Sequence, residues 1–271
     1  MVSNAHRAAA ICLLGAALLS TYGNESDRDE LSLLLDRLAA NAALYRTRAL
    51  RFTSSETIRW SGDGQAGRAR FGYVYVFDEA EGFEEYRTRD RKTARKRVPK
   101  RVRPEAHGVQ VYLNNAYLWC FTFRAERQER HSYSILGTET VAGIEAIKIR
   151  FIPIPPLIKQ VNDWYGTAWV DPKTAQPLKV EVFSAPDWVK RKMLQNGRPL
   201  LDNFELRRIT SYFGERLDGL AMPSRVELRD EKYVLANSGY RKTVSYEVDQ
   251  VYSNYRSFGV SAKEKMGVLA E

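Results

Sequence analysis

Few residues of this chain have the types and the spacing that enzyme chemistry requires. The 271 residues include three His and two Cys, and neither His107 nor His131 has a second His or Cys at the spacing of metal ligands. The sequence has no phosphate-binding loop, no dinucleotide-binding glycine motif and no hydrolase or zinc-peptidase signature. We therefore predict that the protein is not an enzyme and needs no cofactor or metal, although a missing motif does not exclude an active site of another kind.

Positive charge is the most concentrated chemical feature of the sequence. Residues 87–103 contain ten Arg or Lys and a single acid, Asp90, so this segment carries +9, the net charge of the whole chain. Such a run is typical of a solvated loop or a strand extension. Its ligand would be anionic lipid, lipopolysaccharide or nucleic acid, and protection of a sheet edge from aggregation explains it equally well. The residues predicted to bind an anionic surface are Arg95, Lys96, Arg97, Lys100 and Arg101.

Two other segments alternate with the period of a β-strand. Within residues 70–78 the aromatic residues Phe71, Tyr73, Tyr75 and Phe77 alternate with Gly72, Val74 and Val76. Within residues 145–152 Ile147, Ile149 and Phe151 alternate with Lys148 and Arg150. A strand that is apolar on both faces needs apolar neighbours on both sides, and for residues 70–78 these are predicted to be a helix and a ligand cavity. The predicted cavity residues are Phe71, Tyr73, Tyr75, Phe77, Ile147, Ile149, Phe151 and Trp169.

The elements that would position these residues are a helix and a large sheet. Leu31, Leu34, Leu35 and Leu38 follow the spacing of one helix face. About nine strands follow at hairpin spacing without helices between them, which indicates an antiparallel sheet. The predicted fold class is mainly β (α+β), a single incomplete antiparallel β-barrel with an N-terminal amphipathic helix packed against it. Residues 24–271 are predicted to form one domain.

The first 23 residues have the pattern of an export signal. His6 and Arg7 precede residues 8–20, thirteen residues without a charge, and a membrane-spanning helix needs about twenty. A basic start, a short apolar run and small residues are typical of a secretory signal peptide. A buried helix and an uncleaved anchor are the alternatives. We expect an exported protein, periplasmic or associated with the outer membrane, for which nucleic acid is not a partner.

Several short segments carry a resemblance to a known family. They are residues 31–38 followed by Leu50, Gly166-Thr-Ala-Trp169-Val-Asp171 running into Thr174, residues 177–180, Asp218-Gly219, and Met222-Pro223-Ser224. Together they resemble the outer-membrane lipoprotein-sorting proteins, or periplasmic lipoprotein carriers. The resemblance implies an exported chain whose incomplete barrel is closed by helices over an apolar cavity, and envelope-stress sensors share this fold.

Two functions follow from these patterns. The first is a non-catalytic carrier that binds a lipid, an acyl chain or a lipoprotein in an apolar half-barrel, as a monomer. The alternative is an interaction or sensor module of the envelope that uses residues 87–103 to bind anionic lipid or a partner protein. Binding that collapses in high salt would favour the second function, and uptake of apolar ligands that ignores salt would favour the first.

Overall fold

A computed structural model describes ten stretches of the chain. They are residues 25–49, 51–62, 64–78, 82–92, 97–109, 111–114, 116–154, 164–184, 203–236 and 239–258. The predicted signal peptide, residues 1–23, lies outside the described residues, as do Arg95 and Lys96. No helix within the described stretches is both long and apolar enough to cross a bilayer.

A helix opens the described chain and strands form most of the remainder. The helices are α1 (Glu25–Arg48), α2 (Ala125–Gln128) and two 3₁₀ helices (Pro104–His107 and Ala116–Phe121). The strands are β1 (Arg51–Gly62), β2 (Gln65–Asp78), β3 (Gly82–Lys92), β4 (Arg97–Val102), β5 (His131–Val141), β6 (Ile144–Pro153), β7 (Tyr165–Val170), β8 (Pro177–Phe183), β9 (Asn203–Tyr212), β10 (Glu215–Leu217), β11 (Leu220–Met222), β12 (Arg225–Ala236) and β13 (Gly239–Ser257).

Eleven of these strands form one antiparallel sheet. Their order is β4-β3-β2-β1-β13-β12-β9-β8-β7-β6-β5, so β4 and β5 are the edges and the sheet is not closed. The strands β10 and β11 pair separately across a turn at Asp218 and Gly219, which both have positive φ. The predicted fold class, an incomplete antiparallel barrel with an N-terminal helix, is confirmed.

Helix α1 packs on one face of the sheet, which we call the inner face. Leu34, Leu38, Ala42 and Tyr45 are buried, and all but Ala42 belong to the main core. Leu33, on the opposite side of the helix, is 65% exposed. The stripe is made by residues three or four positions apart, so all four project from one side of the helix. The prediction of an amphipathic helix packed against the sheet is therefore confirmed.

The described residues of the basic segment form strands, which favours the strand extension over the loop, the two alternatives that the sequence left open. These residues belong to β3 and β4, which pair with each other from Arg87–Val102 to Lys92–Arg97 and make one edge of the sheet. Charged side chains are common on edge strands because they discourage pairing with another chain. The alternative prediction, a strand extension, agrees with the structure.

Candidate functional site

The predicted cavity residues of β2 lie in a packed core. Phe71, Tyr73 and Tyr75 are buried on the inner face, and Phe77 is partly buried. The Tyr75 ring stacks on Phe52 of β1 at 4.9 Å and meets Tyr117 edge-on at 4.6 Å. Aromatic side chains therefore fill the space between the sheet and the helical segments here. That these four residues line a ligand cavity remains a prediction.

The predicted residues of β6 share that inner face. Ile149 and Phe151 are buried, Ile147 is partly buried, and all three belong to the main core. The Phe151 ring meets Phe123 edge-on at 6.0 Å. Their alternation along the strand predicted this common face correctly.

Trp169 is not brought together with them. It pairs with Lys148 across β6 and β7, and Lys148 projects to the opposite side of β6 from its neighbours Ile147 and Ile149. Trp169 is thus on the outer face of the sheet, where it is buried between the ammonium groups of Lys148, 5.0 Å away, and Lys179, 4.0 Å away. Its burial comes from long lysine stems and a small second cluster with Ala146 and Leu178.

The residues predicted to bind an anionic surface are only partly described. Arg97 begins β4, and Lys100 and Arg101 are exposed on that strand. The Arg101 side chain, 57% exposed, makes an ion pair of 3.1 Å with Glu84 and lies over the Tyr86 ring at 5.0 Å. Their role at an anionic surface stays a prediction.

Arg87, the first residue of the basic segment, has a different environment from the rest. Its side chain is 3% exposed and its guanidinium donates to both carboxylate oxygens of Glu56, at 2.9 and 3.0 Å. A second carboxylate, Glu85, accepts at 2.8 Å, as does the side-chain oxygen of Asn114. The carbonyl of Leu113 is a further acceptor at 3.3 Å. The five donors of an arginine are thus matched to acceptors inside the protein.

Aromatic rings and an amide complete this buried cluster. The Arg87 guanidinium lies 5.2 Å from the Tyr73 ring and 4.8 Å from the Tyr112 ring. The Tyr73 hydroxyl donates to Glu85 at 2.7 Å, and Gln250 of β13 donates to Glu56 at 2.9 Å. Burial lowers the pKa of Arg87, but the adjacent charges of Glu56 and Glu85 outweigh it, so the pKa is raised and the side chain stays a cation.

Sequence reasoning missed this cluster because its members are far apart in the chain. Arg87 and Glu56 are 31 residues apart, and Gln250 and Glu56 are 194 apart. They meet because β2 pairs with β1 and β3, which places Tyr73 opposite both Ser54 and Arg87. The one local signal is that Phe83, Glu85 and Arg87 alternate as a strand does, on the same face as the aromatic side of β2.

An open cleft lies beside this cluster at the edge of the sheet. Its volume is about 730 Å³, and we call it the edge cleft. Strand β4 stops pairing at Val102, and Pro104, which has no N–H to donate, begins a 3₁₀ helix that leads the chain away. The lining of the edge cleft combines aromatic and aliphatic side chains with polar and charged ones: Phe83, Glu84, Glu85, Tyr86, Arg87, Arg101, Val102, Arg103, Pro104, Tyr112 and Asn114.

The charged groups of the edge cleft differ in how firmly they are held. Arg87 is bound by buried carboxylates. Arg103 is exposed and has no ion pair or side-chain hydrogen bond with any described residue. The pair of Arg101 with Glu84 is exposed on both sides, and such pairs contribute about 0–1 kcal/mol. Arg101 and Arg103 can therefore bind an anion from solution without a large cost.

The remaining reactive side chains have structural partners. Nδ1 of His131 lies 3.0 Å from the carbonyl of Arg127, and Nδ1 of His107 lies 2.8 Å from a guanidinium nitrogen of Arg89. Burial raises the pKa of the Cys120 thiol, which disfavours the reactive thiolate. No group of three or more His, Cys, Asp or Glu within the described stretches is arranged to hold a metal ion.

Comparison with known proteins finds similarity only to solved structures. No protein-family model matches the sequence, and no curated protein does. The structure is similar to a DUF1329 family protein from Desulfovibrio piger, at 13% identity and a TM-score of 0.43, over 86% of this chain and 98% of the other. It is also similar to a LolA superfamily protein from Nitrosomonas europaea, at 14% identity and a TM-score of 0.39, over 86% and 95% of the two chains.

A third similar structure carries the description that the sequence suggested. It is an outer membrane lipoprotein-sorting protein domain from Vibrio parahaemolyticus, at 11% identity and a TM-score of 0.40, over 90% of this chain and 98% of that one. Structures of LolA superfamily and lipoprotein-sorting proteins are thus among those to which the chain is similar, in agreement with the resemblance predicted from the sequence.

Proposed function

We propose that the protein is a non-catalytic binding protein of the bacterial envelope, and that it holds one amphiphile with an acidic head group in the edge cleft. The ligand class is a lipid or a free acyl chain. The observation that carries the proposal is the composition of the cleft, in which an apolar wall lies next to arginines that are exposed and weakly held.

The apolar wall suits a hydrocarbon chain. Phe83, Tyr86, Val102, Pro104 and Tyr112 line the cleft, and Phe83 keeps 39% of its surface exposed. A volume of about 730 Å³ falls within the usual range for small-ligand sites, about 300–1,000 Å³. Covering these side chains with an acyl chain would remove apolar surface from water, which is favourable by about 25 cal/mol per Å².

The arginines suit a carboxylate or phosphate. A guanidinium presents a planar fork of donors that matches either group in a bidentate manner. Arg103 donates to no residue of the described stretches, and Arg101 can exchange its exposed partner Glu84 for the ligand. Arg87 has its donors occupied by Glu56, Glu85 and Asn114, so we assign it to holding the wall of the cleft.

The inner face of the barrel is a less favourable place for the same ligand. A chain lying against Tyr75 or Ile149 would have to displace side chains that are buried in the main core. Protein cores are close-packed and have few voids larger than a water molecule. We therefore place the ligand at the edge cleft rather than among the cavity residues predicted from sequence.

Export to the envelope is the other part of the proposal. It is supported by the sequence pattern of residues 1–23. N-terminal sequencing of the protein recovered from the periplasm of an expressing bacterium tests it. A mature chain that begins near residue 24 is expected, and a protein that stays in the cytoplasm with residues 1–23 intact contradicts this part of the proposal.

Binding is tested with two fluorescent ligands of equal chain length, a fatty acid and the corresponding fatty alcohol. We expect the delipidated protein to bind the acid more tightly than the alcohol. Arg103→Ser should weaken binding of the acid and leave binding of the alcohol unchanged. Arg130→Ser, which removes an exposed arginine outside the cleft, is the matched control and should change neither.

The outcomes separate the two parts of the cleft. Equal affinity for the fatty acid and the fatty alcohol would show that the arginines of the cleft do not bind the acidic head group. Failure to bind either ligand, together with no lipid in native mass spectra of gently purified protein, would reject the cleft as an amphiphile site.

A further inference from the structure

The outer face of the sheet carries a cluster of arginines, of which the proposed function uses only Arg101. Arg68 of β2 lies directly opposite Arg59 of β1, and Arg70 is two residues further along the same face of β2. Gly72 continues that face, opposite Thr88 of β3, which in turn lies opposite Arg101 of β4. We call Arg59, Arg68, Arg70 and Arg101 the arginine patch.

The positions of these residues follow from strand geometry. Side chains at every second position share one face of a sheet, and directly opposed residues on neighbouring strands have Cβ atoms about 4.5–5.5 Å apart. The Arg59 side chain is 51% exposed and that of Arg101 57% exposed, and Arg68 and Arg70 are also exposed. Three strands, β1, β2 and β4, therefore present four arginines to solvent on one surface.

Repulsion within the patch is only partly compensated. Arg59 pairs with Asp249 at 3.1 Å, but that carboxylate also accepts from Arg225 at 2.6 Å. Glu84 pairs with Arg101. Arg68 and Arg70 have no ion pair with any residue of the described stretches. Like charges directly opposite each other destabilise a sheet, so the Arg59–Arg68 pair is a local conflict of the kind found at functional surfaces.

The positions between the arginines of the patch carry no large side chain. Between the arginines lie Thr57, Gly72 and Thr88, which have short side chains or none. A concave site would bring cationic groups together around one anion, but this patch spreads them over the outer face of three strands. Such an array matches a layer of head groups, to which each basic residue is attracted separately.

We propose that the arginine patch docks the protein on an anionic lipid bilayer. This surface also includes Arg101 and adjoins Tyr86, and both residues line the edge cleft, so docking would bring the mouth of that cleft to the lipid. The interaction itself does not require a ligand in the cleft, and the two proposals can fail independently.

Co-sedimentation of the whole chain with vesicles tests the proposal. We expect binding to phosphatidylcholine vesicles that contain phosphatidylglycerol, little binding to phosphatidylcholine alone, and loss of binding in high salt. A basic residue near an anionic surface contributes a factor of about five, so Arg68→Ser with Arg70→Ser should weaken binding by roughly twenty- to thirtyfold. Arg68→Lys with Arg70→Lys should retain most of it.

The control removes the same charge elsewhere. Lys173→Ser with Arg130→Ser changes two exposed basic residues near the strands of the other sheet edge and should leave vesicle binding nearly unchanged. Because Arg68 lies opposite Arg59, the protein with Arg68→Ser and Arg70→Ser should have a melting temperature no lower than that of the unaltered chain. A weaker binding of vesicles by this variant would then not be due to unfolding. Equal losses in both double variants, salt-independent binding, or binding to heparin but not to vesicles would overturn the proposal.

Discussion

The hydroxyl of Tyr45 on helix α1 donates a hydrogen bond of 2.6 Å to the carbonyl oxygen of Ala221, on the β10–β11 hairpin. Both residues are buried. Two further side chains of the helix bond to the turn between β7 and β8: Asn41 to the carbonyls of Thr174 and Ala175, and Arg37 to that of Lys173. These contacts fix the helix to loops at one end of the sheet. They favour a helix that is a fixed part of the fold over one that moves to open and close a ligand site.

The apolar stripe of the helix gives the first prediction. Leu34→Ala or Leu38→Ala should lower the free energy of unfolding by about 2–5 kcal/mol, because each removes a buried side chain and leaves a cavity. Thermal or denaturant unfolding followed by circular dichroism measures the change. Leu33→Ala, on the exposed side of the same helix, should have an effect near zero. If all three variants unfold alike, the helix is not packed as described.

The Tyr45 hydroxyl gives the second prediction. Tyr45→Phe keeps the ring but leaves the buried carbonyl of Ala221 without this donor, which should cost about 1–3 kcal/mol of stability. Tyr112→Phe is the comparison, since its hydroxyl donates to the exposed carboxylate of Glu105 and water can replace it. Urea unfolding curves of the two variants should therefore separate clearly, and matching curves would contradict the importance of this contact.

The predictions from sequence succeeded where the signal is local. The helix stripe at Leu34 and Leu38 and the alternation of Ile149 and Phe151 depend only on spacing along the chain, and the structure places them as expected. Trp169, which the sequence analysis listed with Ile149 as a cavity residue, lies on the outer face of the sheet, covered by the side chains of Lys148 and Lys179. Nothing near Arg87 in the sequence indicates its partner Glu56, or Gln250, which donates to the same carboxylate. Only the pairing of β1, β2, β3 and β13 brings these residues together.

The buried arginine gives the third prediction. Arg87→Met should destabilise the protein by about 3–5 kcal/mol, because Glu56 is left as an unpaired buried carboxylate. Arg87→Lys should recover only part of this, since an ammonium cannot form the bidentate contact with Glu56 and also reach Glu85 and Asn114. Arg101→Met, which breaks an exposed pair, should change stability by less than about 1 kcal/mol.

A double variant tests the same cluster in another way. When Glu56→Gln is added to Arg87→Met, the uncompensated charge disappears, so the combined loss of stability should be smaller than the sum of the two single losses. Strict additivity would mean that the two side chains do not interact in solution as they do in the structure.

The last prediction concerns Asp171, which holds the turn that α1 contacts. Its carboxylate accepts from the backbone N–H of Lys173 and from the hydroxyl of Thr174, both at 2.8 Å. Burial raises the pKa of this carboxyl, but these hydrogen bonds outweigh it and hold the pKa below the usual value of 3.8. Asp171 therefore binds a proton less readily in the folded chain than in the unfolded one. Its ionisation stabilises the fold above that usual value, and the contribution is lost as the pH falls toward the lowered pKa of the folded state.

Asp171→Asn should accordingly unfold at a lower denaturant concentration than the unaltered protein at neutral pH. The difference between the two unfolding midpoints should become smaller as the pH is lowered through the acid range. The unaltered protein then loses the stabilisation by the Asp171 carboxylate that the variant already lacks. Thr174→Val removes one of the two hydrogen bonds. Its unfolding midpoint should differ less from that of the unaltered protein, and this difference should depend on pH in the same way. A gap that stays constant down to the lowest pH at which both proteins fold would mean that the charge of Asp171 does not stabilise this turn.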